Sequence, residues 1–87
     1  MNEDELIIFL QQMWCDMLEI EQVTVDQNFF DIGGDSMMAI RMLAATLTKL
    51  ETEIDFERFF EEPTIRKLTE LLQEQVTTES GSARVVV

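Results

Sequence analysis

Eighty-seven residues make one domain, too small to enclose a deep active-site cavity. Eighteen acids against six bases leave a net charge of −12, a field that repels nucleic-acid phosphates and anionic membrane surfaces and steers in partners with a basic face. There is no histidine and a single cysteine, Cys15, which removes Ser-His-Asp and Cys-His catalysis, zinc sites and an internal disulfide together.

The N-terminal Met-Asn-Glu-Asp-Glu lacks the basic stretch of a secretory signal, and no apolar run approaches the length of a membrane span. With the lone cysteine, this points to a cytoplasmic setting. Residues from about 4 to 20 carry Leu6, Leu10, Met13, Met17 and Ile20 at spacings of three and four. That is one face of a first helix, widened by Ile7, Trp14 and Leu18. Glu3, Asp4 and Glu5 suit the exposed N–H groups of its first turn. Trp14 is expected to be partly in the core, and Cys15 to be a small buried apolar residue.

From Glu21 to Asp35 the helical period is lost. Val23, Val25, Phe29, Phe30 and Ile32 are interspersed with the turn formers Asp26, Asn28, Asp31 and a glycine pair. A loop of about fifteen residues is long for a small domain and is usually functional. Phe29 and Phe30 are expected to pin it to the core. Asp26-Gln27-Asn28 opens like a calcium-binding loop, but Phe30 and Asp31 stand where that loop needs a ligand and a glycine. No metal site is expected.

A second helix is expected from Ser36 to about Leu50, with Met38 or Ala39, Met42 or Leu43, Leu47 and Leu50 facing inward. Ile54 to Phe60 reads as a turn or two of helix, limited by Pro63 and anchored by Phe56, Phe59 and Phe60. Thr64 caps a last helix whose inward stripe is Ile65, Leu68, Leu71 or Leu72, and Val76. The segment from Thr77 to Val87 begins polar and reads as a flexible C-terminal tail. The fold expected is all-α: a small four-helix bundle of three longer helices and one short one, with a long loop between helices one and two. The domain is placed at residues 1–76 and the tail at 77–87. The starting methionine and short tails suggest a free-standing protein, although a domain excised from a larger protein would look similar.

The segment Gly33-Gly34-Asp35-Ser36 supports two readings. In the first it is a helix start, with Asp35 or Ser36 as N-cap and the glycines forming the preceding turn. In the second, the Ser36 hydroxyl accepts a phosphodiester-linked group, whose phosphate is favoured by the unpaired N–H groups and positive dipole end of helix two. The glycines would leave room for a modifying enzyme, since no side chain projects from them. Taken alone, the segment fits simple capping well.

The wider context carries a resemblance. Phe29-Phe30-Asp31-Ile32-Gly33-Gly34-Asp35-Ser36-Met37-Met38-Ala39-Ile40-Arg41 is similar to the prosthetic-group attachment site of thiolation domains, also called peptidyl carrier proteins, of nonribosomal peptide synthetases. Those carriers show Phe-Phe-x-Leu-Gly-Gly-(His or Asp)-Ser-Leu, then an apolar residue, Ala, a variable position and Arg. A second stretch, from Ile54 through Pro63-Thr64-Ile65 to Leu68, resembles the family's third helix and the start of its fourth. The resemblance covers about residues 5–75. It implies a non-catalytic carrier in the acyl carrier protein superfamily, with 4′-phosphopantetheine attached to Ser36 and with Gly34 and Asp35 completing the attachment site. A phosphopantetheinyl transferase would supply the group from coenzyme A with Mg²⁺, and the arm's thiol would hold an aminoacyl, peptidyl or acyl group as a thioester.

By the same likeness, the partners are the transferase, an adenylation enzyme or domain, and condensation or other tailoring enzymes, meeting a monomeric carrier. Met37, Met38 and Arg41 are the candidate partner contacts. Met38, Ile40 and Arg41 share a helix and cannot all face outward, and core packing suits Met37 and Met38 as well. Asp35 stands where many peptidyl carriers have histidine and where fatty-acid and polyketide carriers have aspartate, so a fatty-acid or polyketide-type acyl carrier is the alternative. A further one is an unmodified acidic interaction module in which Ser36 is only a cap.

Overall fold

The computed structural model describes residues 2–80. Its elements are four helices in the expected order: α1 (Glu3–Leu18), α2 (Ser36–Leu50), α3 (Phe56–Glu61) and α4 (Ile65–Ser80). Among the described residues there is no strand, and no helix is long and apolar enough to cross a membrane.

α1 begins with a reciprocal cap. The Asn2 side chain accepts from the Glu5 N–H at 2.8 Å, and the Glu5 carboxylate accepts from the Asn2 N–H at 3.1 Å. The helix ends earlier than its apolar period suggests, because Glu19 adopts the left-handed conformation with φ 57°. The Ile20 N–H then donates back to the Cys15 carbonyl at 3.0 Å, outside the helix. Leu6, Leu10 and Trp14 form the buried stripe, with Met13 and Met17 packed at its margin. Trp14 is completely buried rather than partly so, whereas Cys15 is half-buried rather than enclosed.

α1 packs chiefly on α4 and also on α2, while α3 leans on α4. α2 contributes Ala39, Met42, Leu43 and Thr46. Thr46 is the unexpected member: its hydroxyl donates to the Met13 sulfur at 3.1 Å, so a polar group is satisfied inside the core. α4 starts as expected, with the Thr64 hydroxyl accepting from the Lys67 N–H at 3.1 Å. Leu71 and Leu72 are both buried beside Ile65 and Leu68. The helix continues past Val76, its expected end, to Ser80. Residues 81–87 of the expected tail, and the side chain of Val76, lie outside the described residues.

The long loop, residues 19–35, is held at both its middle and its end. Its middle is tied to the start of α4: the Arg66 N–H donates to the Val25 carbonyl, and the Arg66 guanidinium meets the Asp26 carboxylate with two hydrogen bonds, the shorter 2.6 Å. The pair is exposed, so it fixes register more than it adds stability. The hydrogen bond from Arg66 holds the Asp26 carboxyl below its ordinary range. A depressed carboxylate stabilises the fold above its unfolded pKa and loses that contribution as pH falls through the folded value. The Arg66 Hε resonance is therefore expected to titrate with a midpoint below about 4, the ordinary aspartate value. Asp26→Asn should abolish that titration, and a midpoint at or above the ordinary value would refute the clamp.

Candidate functional site

The loop's last residues are organised by Phe29. Its ring is fully buried and meets Trp14 edge-on at 4.8 Å between centroids. Its N–H donates to the Pro63 carbonyl at 2.8 Å, and its own carbonyl accepts from the Gly34 N–H at 3.0 Å. Phe30 is half-buried and stacks on Phe60 at 6.1 Å, while Trp14 also meets Phe59 at 6.4 Å. A connected set of rings thus joins α1, the loop and α3, and each well-placed aromatic pair adds roughly 0.5–1.5 kcal/mol beyond its buried area. The two phenylalanines do pin the loop.

The glycines divide the work of turning the chain. Gly33 takes φ 115°, a conformation an L side chain resists, although a Cβ there would meet nothing within 4 Å. Gly34 is packed on the face of Phe29: a methyl group there would lie 2.9 Å from the ring Cζ and closer still to two other ring carbons. The expectation that the pair simply leaves room for an approaching enzyme is corrected for Gly34, whose bareness serves an inward contact.

The choice of cap is settled in favour of Asp35. Its carboxylate accepts from the Met38 N–H at 2.8 Å in the extended conformation of an N-cap. Ser36 is consequently the first residue of α2, exposed, and its hydroxyl is not the cap. Met37 follows at 60% exposure. Met38 is half-buried and packs against the core, so it offers less of its side chain to a partner than Met37 does. The outward face of α2 is made instead by Met37, Ile40 at 47% exposure, Arg41 and Ala44, at helical spacings of three and four. Ile40 is not among the expected contacts because the sequence alone does not say which of two adjacent apolar residues the helix turns inward.

A four-helix bundle with a long braced loop, presenting an exposed serine at the start of its second helix, has the build of an acyl or peptidyl carrier protein. Comparison with known proteins agrees. A family model described as "Phosphopantetheine attachment site" matches residues 9–72. The chain belongs to this family, and 4′-phosphopantetheine is the group the family carries.

Among curated proteins, a linear gramicidin synthase of Brevibacillus parabrevis is 37% identical over 82% of this chain. A surfactin synthase of Bacillus subtilis is 34% identical over 74% of it. The matched segments are 1% and 2% of those proteins, so the chain corresponds to one small part of each. Among solved structures, a peptidyl carrier protein described as a prototype for the carrier domains of modular peptide synthetases aligns with TM-score 0.66 at 27% identity, over 76% of this chain and 87% of that one. A structure of the phosphopantetheine transferase Sfp with coenzyme A and a peptidyl carrier protein aligns with TM-score 0.69 at 26% identity, over 75% of this chain and 84% of that one. A type-II acyl carrier protein from Streptomyces verticillus shares the fold at TM-score 0.77 and 19% identity, over 85% of this chain and 89% of that one.

Proposed function

We propose that Ser36 is the point at which 4′-phosphopantetheine is attached and that the chain is a peptidyl-type carrier, with residues 1–76 as the carrier unit. The observation that carries this is the division of labour at the start of α2: Asp35 caps the helix, leaving the exposed Ser36 hydroxyl free to be modified. The residues present fit the group. A phosphate on Ser36 Oγ would sit beside the first N–H groups of α2, at the positive end of its dipole. The prosthetic group supplies a thiol that holds an aminoacyl or peptidyl residue as a thioester. The chain's own part is to hold that arm on a rigid turn, so that its cargo meets successive enzymes at high effective concentration.

In this reading the chain is non-catalytic. It is a monomeric cytoplasmic substrate of a phosphopantetheinyl transferase, and it then serves an adenylation enzyme or domain and condensation or tailoring enzymes. Gly34 and Asp35 shape the attachment turn, and Met37, Ile40 and Arg41 form the rim that partners meet. The peptide-synthetase relatives favour the peptidyl type over the fatty-acid type despite Asp35.

Incubation with coenzyme A, Mg²⁺ and a broad-specificity phosphopantetheinyl transferase is expected to raise the intact mass by one phosphopantetheine. Ser36→Ala should remain unmodified. An unchanged wild-type mass, or equal labelling of the alanine variant, overturns the assignment.

A further inference from the structure

Three large apolar side chains stand out on the described surface: Met37, Ile40 and Ile8. The first two flank Ser36 and belong to that site. Ile8 lies on α1, and no residue from Ser36 to Arg41 lines the groove beside it or the next one.

Its exposure follows from the sequence of α1. Leu6, Ile7, Ile8, Phe9 and Leu10 are consecutive and go more than once around a helix of 3.6 residues per turn, so one buried face cannot take them all. Leu6 and Leu10 fill the core, Ile7 and Phe9 pack at its edges, and Ile8 is left 53% exposed. Ile8 walls one groove, and a second lies on the far side of Gln12 and Asp16. One, of about 630 Å³, lies between α1 and the segment Glu21–Val23, with Ile8, Cys15 and Val23 in its wall. The other, of about 430 Å³, is bordered by Phe9, Met13 and Met17. Gln12 and Asp16 line both and so form the ridge between them. An exposed apolar side chain set among Gln11, Gln12, Asp16 and Glu21 is a surface for a partner of mixed character to cover.

Charge decides by what. Half of the chain's acids and none of its bases precede Arg41, and Asp16 and Glu21 line the groove of Ile8. A second copy laid over this face would bring acid against acid at a net charge of −12 each. A basic partner would be attracted.

We infer that the outer face of α1 is a second docking surface, separate from the Ser36 rim, for a partner segment that presents an apolar side chain between lysines or arginines. Ile8 and the groove it walls receive the apolar side chain, and Asp16 and Glu21 meet the cations. The surface does not depend on what Ser36 carries.

The test is an NMR titration of the ¹⁵N-labelled full chain with a synthetic amphipathic helical peptide of leucine and lysine. The largest shifts are expected at Ile8, Gln12, Cys15 and Val23. Ile8→Lys should weaken the peptide about tenfold, and the uncharged Ile8→Gln should weaken it in the same direction, as loss of one apolar contact requires. Both variants should keep the wild-type circular dichroism and the wild-type rate of labelling by the transferase. Shifts centred on Met37 and Ile40, shifts spread evenly over the acids, or full binding by Ile8→Gln would each overturn the proposal. So would sedimentation showing that the chain alone dimerises and that Ile8→Lys dissolves the dimer.

Discussion

Phe29→Ala is expected to cost about 3–5 kcal/mol in unfolding free energy, the loss seen when a large ring is cut from a packed core. The ring is fully buried, lies edge-on to Trp14 and is covered by Gly34, so few neighbours are free to collapse into the space. Single domains of this kind are stable by roughly 5–15 kcal/mol, and small ones lie toward the lower end. The variant would therefore sit near the edge of folding. Urea denaturation followed by far-ultraviolet circular dichroism measures the cost, and Phe29→Leu provides a milder member of the series should the alanine variant fail to fold. Phe30→Ala, removing a half-buried ring, should cost less. A loss below about 1 kcal/mol for Phe29→Ala, in the range of ordinary surface changes, would show that the loop is not anchored through this ring. Trp14 is the only tryptophan and tyrosine is absent, so its emission reports the same contact directly.

What the sequence reveals of this fold depends on how the information is written. The extent of α2 from Ser36 to Leu50 is legible because its apolar residues keep a helical period. The junction of α3 and α4 is legible because Pro63 stops one helix and Thr64 caps the next. The end of α1 is not marked in this way. It closes on Glu19 in the left-handed conformation where glycine is the usual signal. Thr46 escapes because hydropathy places threonine outside, while its hydroxyl finds the Met13 sulfur inside. Trp14 escapes in the opposite sense: a buried indole N–H normally has a partner, and here Nε1 is buried without a hydrogen bond.

The site is legible in its residues but not in their roles. Ser36 is conspicuous between a glycine turn and a helix, yet the cap could be Asp35 or Ser36 until the Met38 N–H is seen to donate to Asp35. The choice decides whether the serine hydroxyl is occupied. Likewise, two adjacent methionines cannot both face one way on a helix, and only packing shows that Met37 faces out and Met38 in. Sequence spacing gives the helix period, whereas its phase relative to the core comes from long-range contacts.

The same distinction separates the two glycines. Gly34→Ala is expected to destabilise the domain by about 1–3 kcal/mol through overpacking, because the added methyl would collide with the Phe29 ring. Gly33→Ala should also cost about 1–2 kcal/mol, but through backbone strain, since its φ is 115° and nothing lies near its Cβ position. Equilibrium unfolding of each variant alone and combined with Phe29→Leu tells the mechanisms apart. Trimming the ring should relieve Gly34→Ala, so that the pair costs less than the sum of its members, while Gly33→Ala and Phe29→Leu should be additive. Because Phe29 also accepts the Gly34 N–H at its backbone carbonyl, the collision would displace the turn two residues before the serine. Gly34→Ala should therefore slow labelling of Ser36 by the transferase under conditions where the variant remains folded. Additivity in the Gly34 pair, or labelling at the wild-type rate, would mean that the turn is set elsewhere than on the face of Phe29.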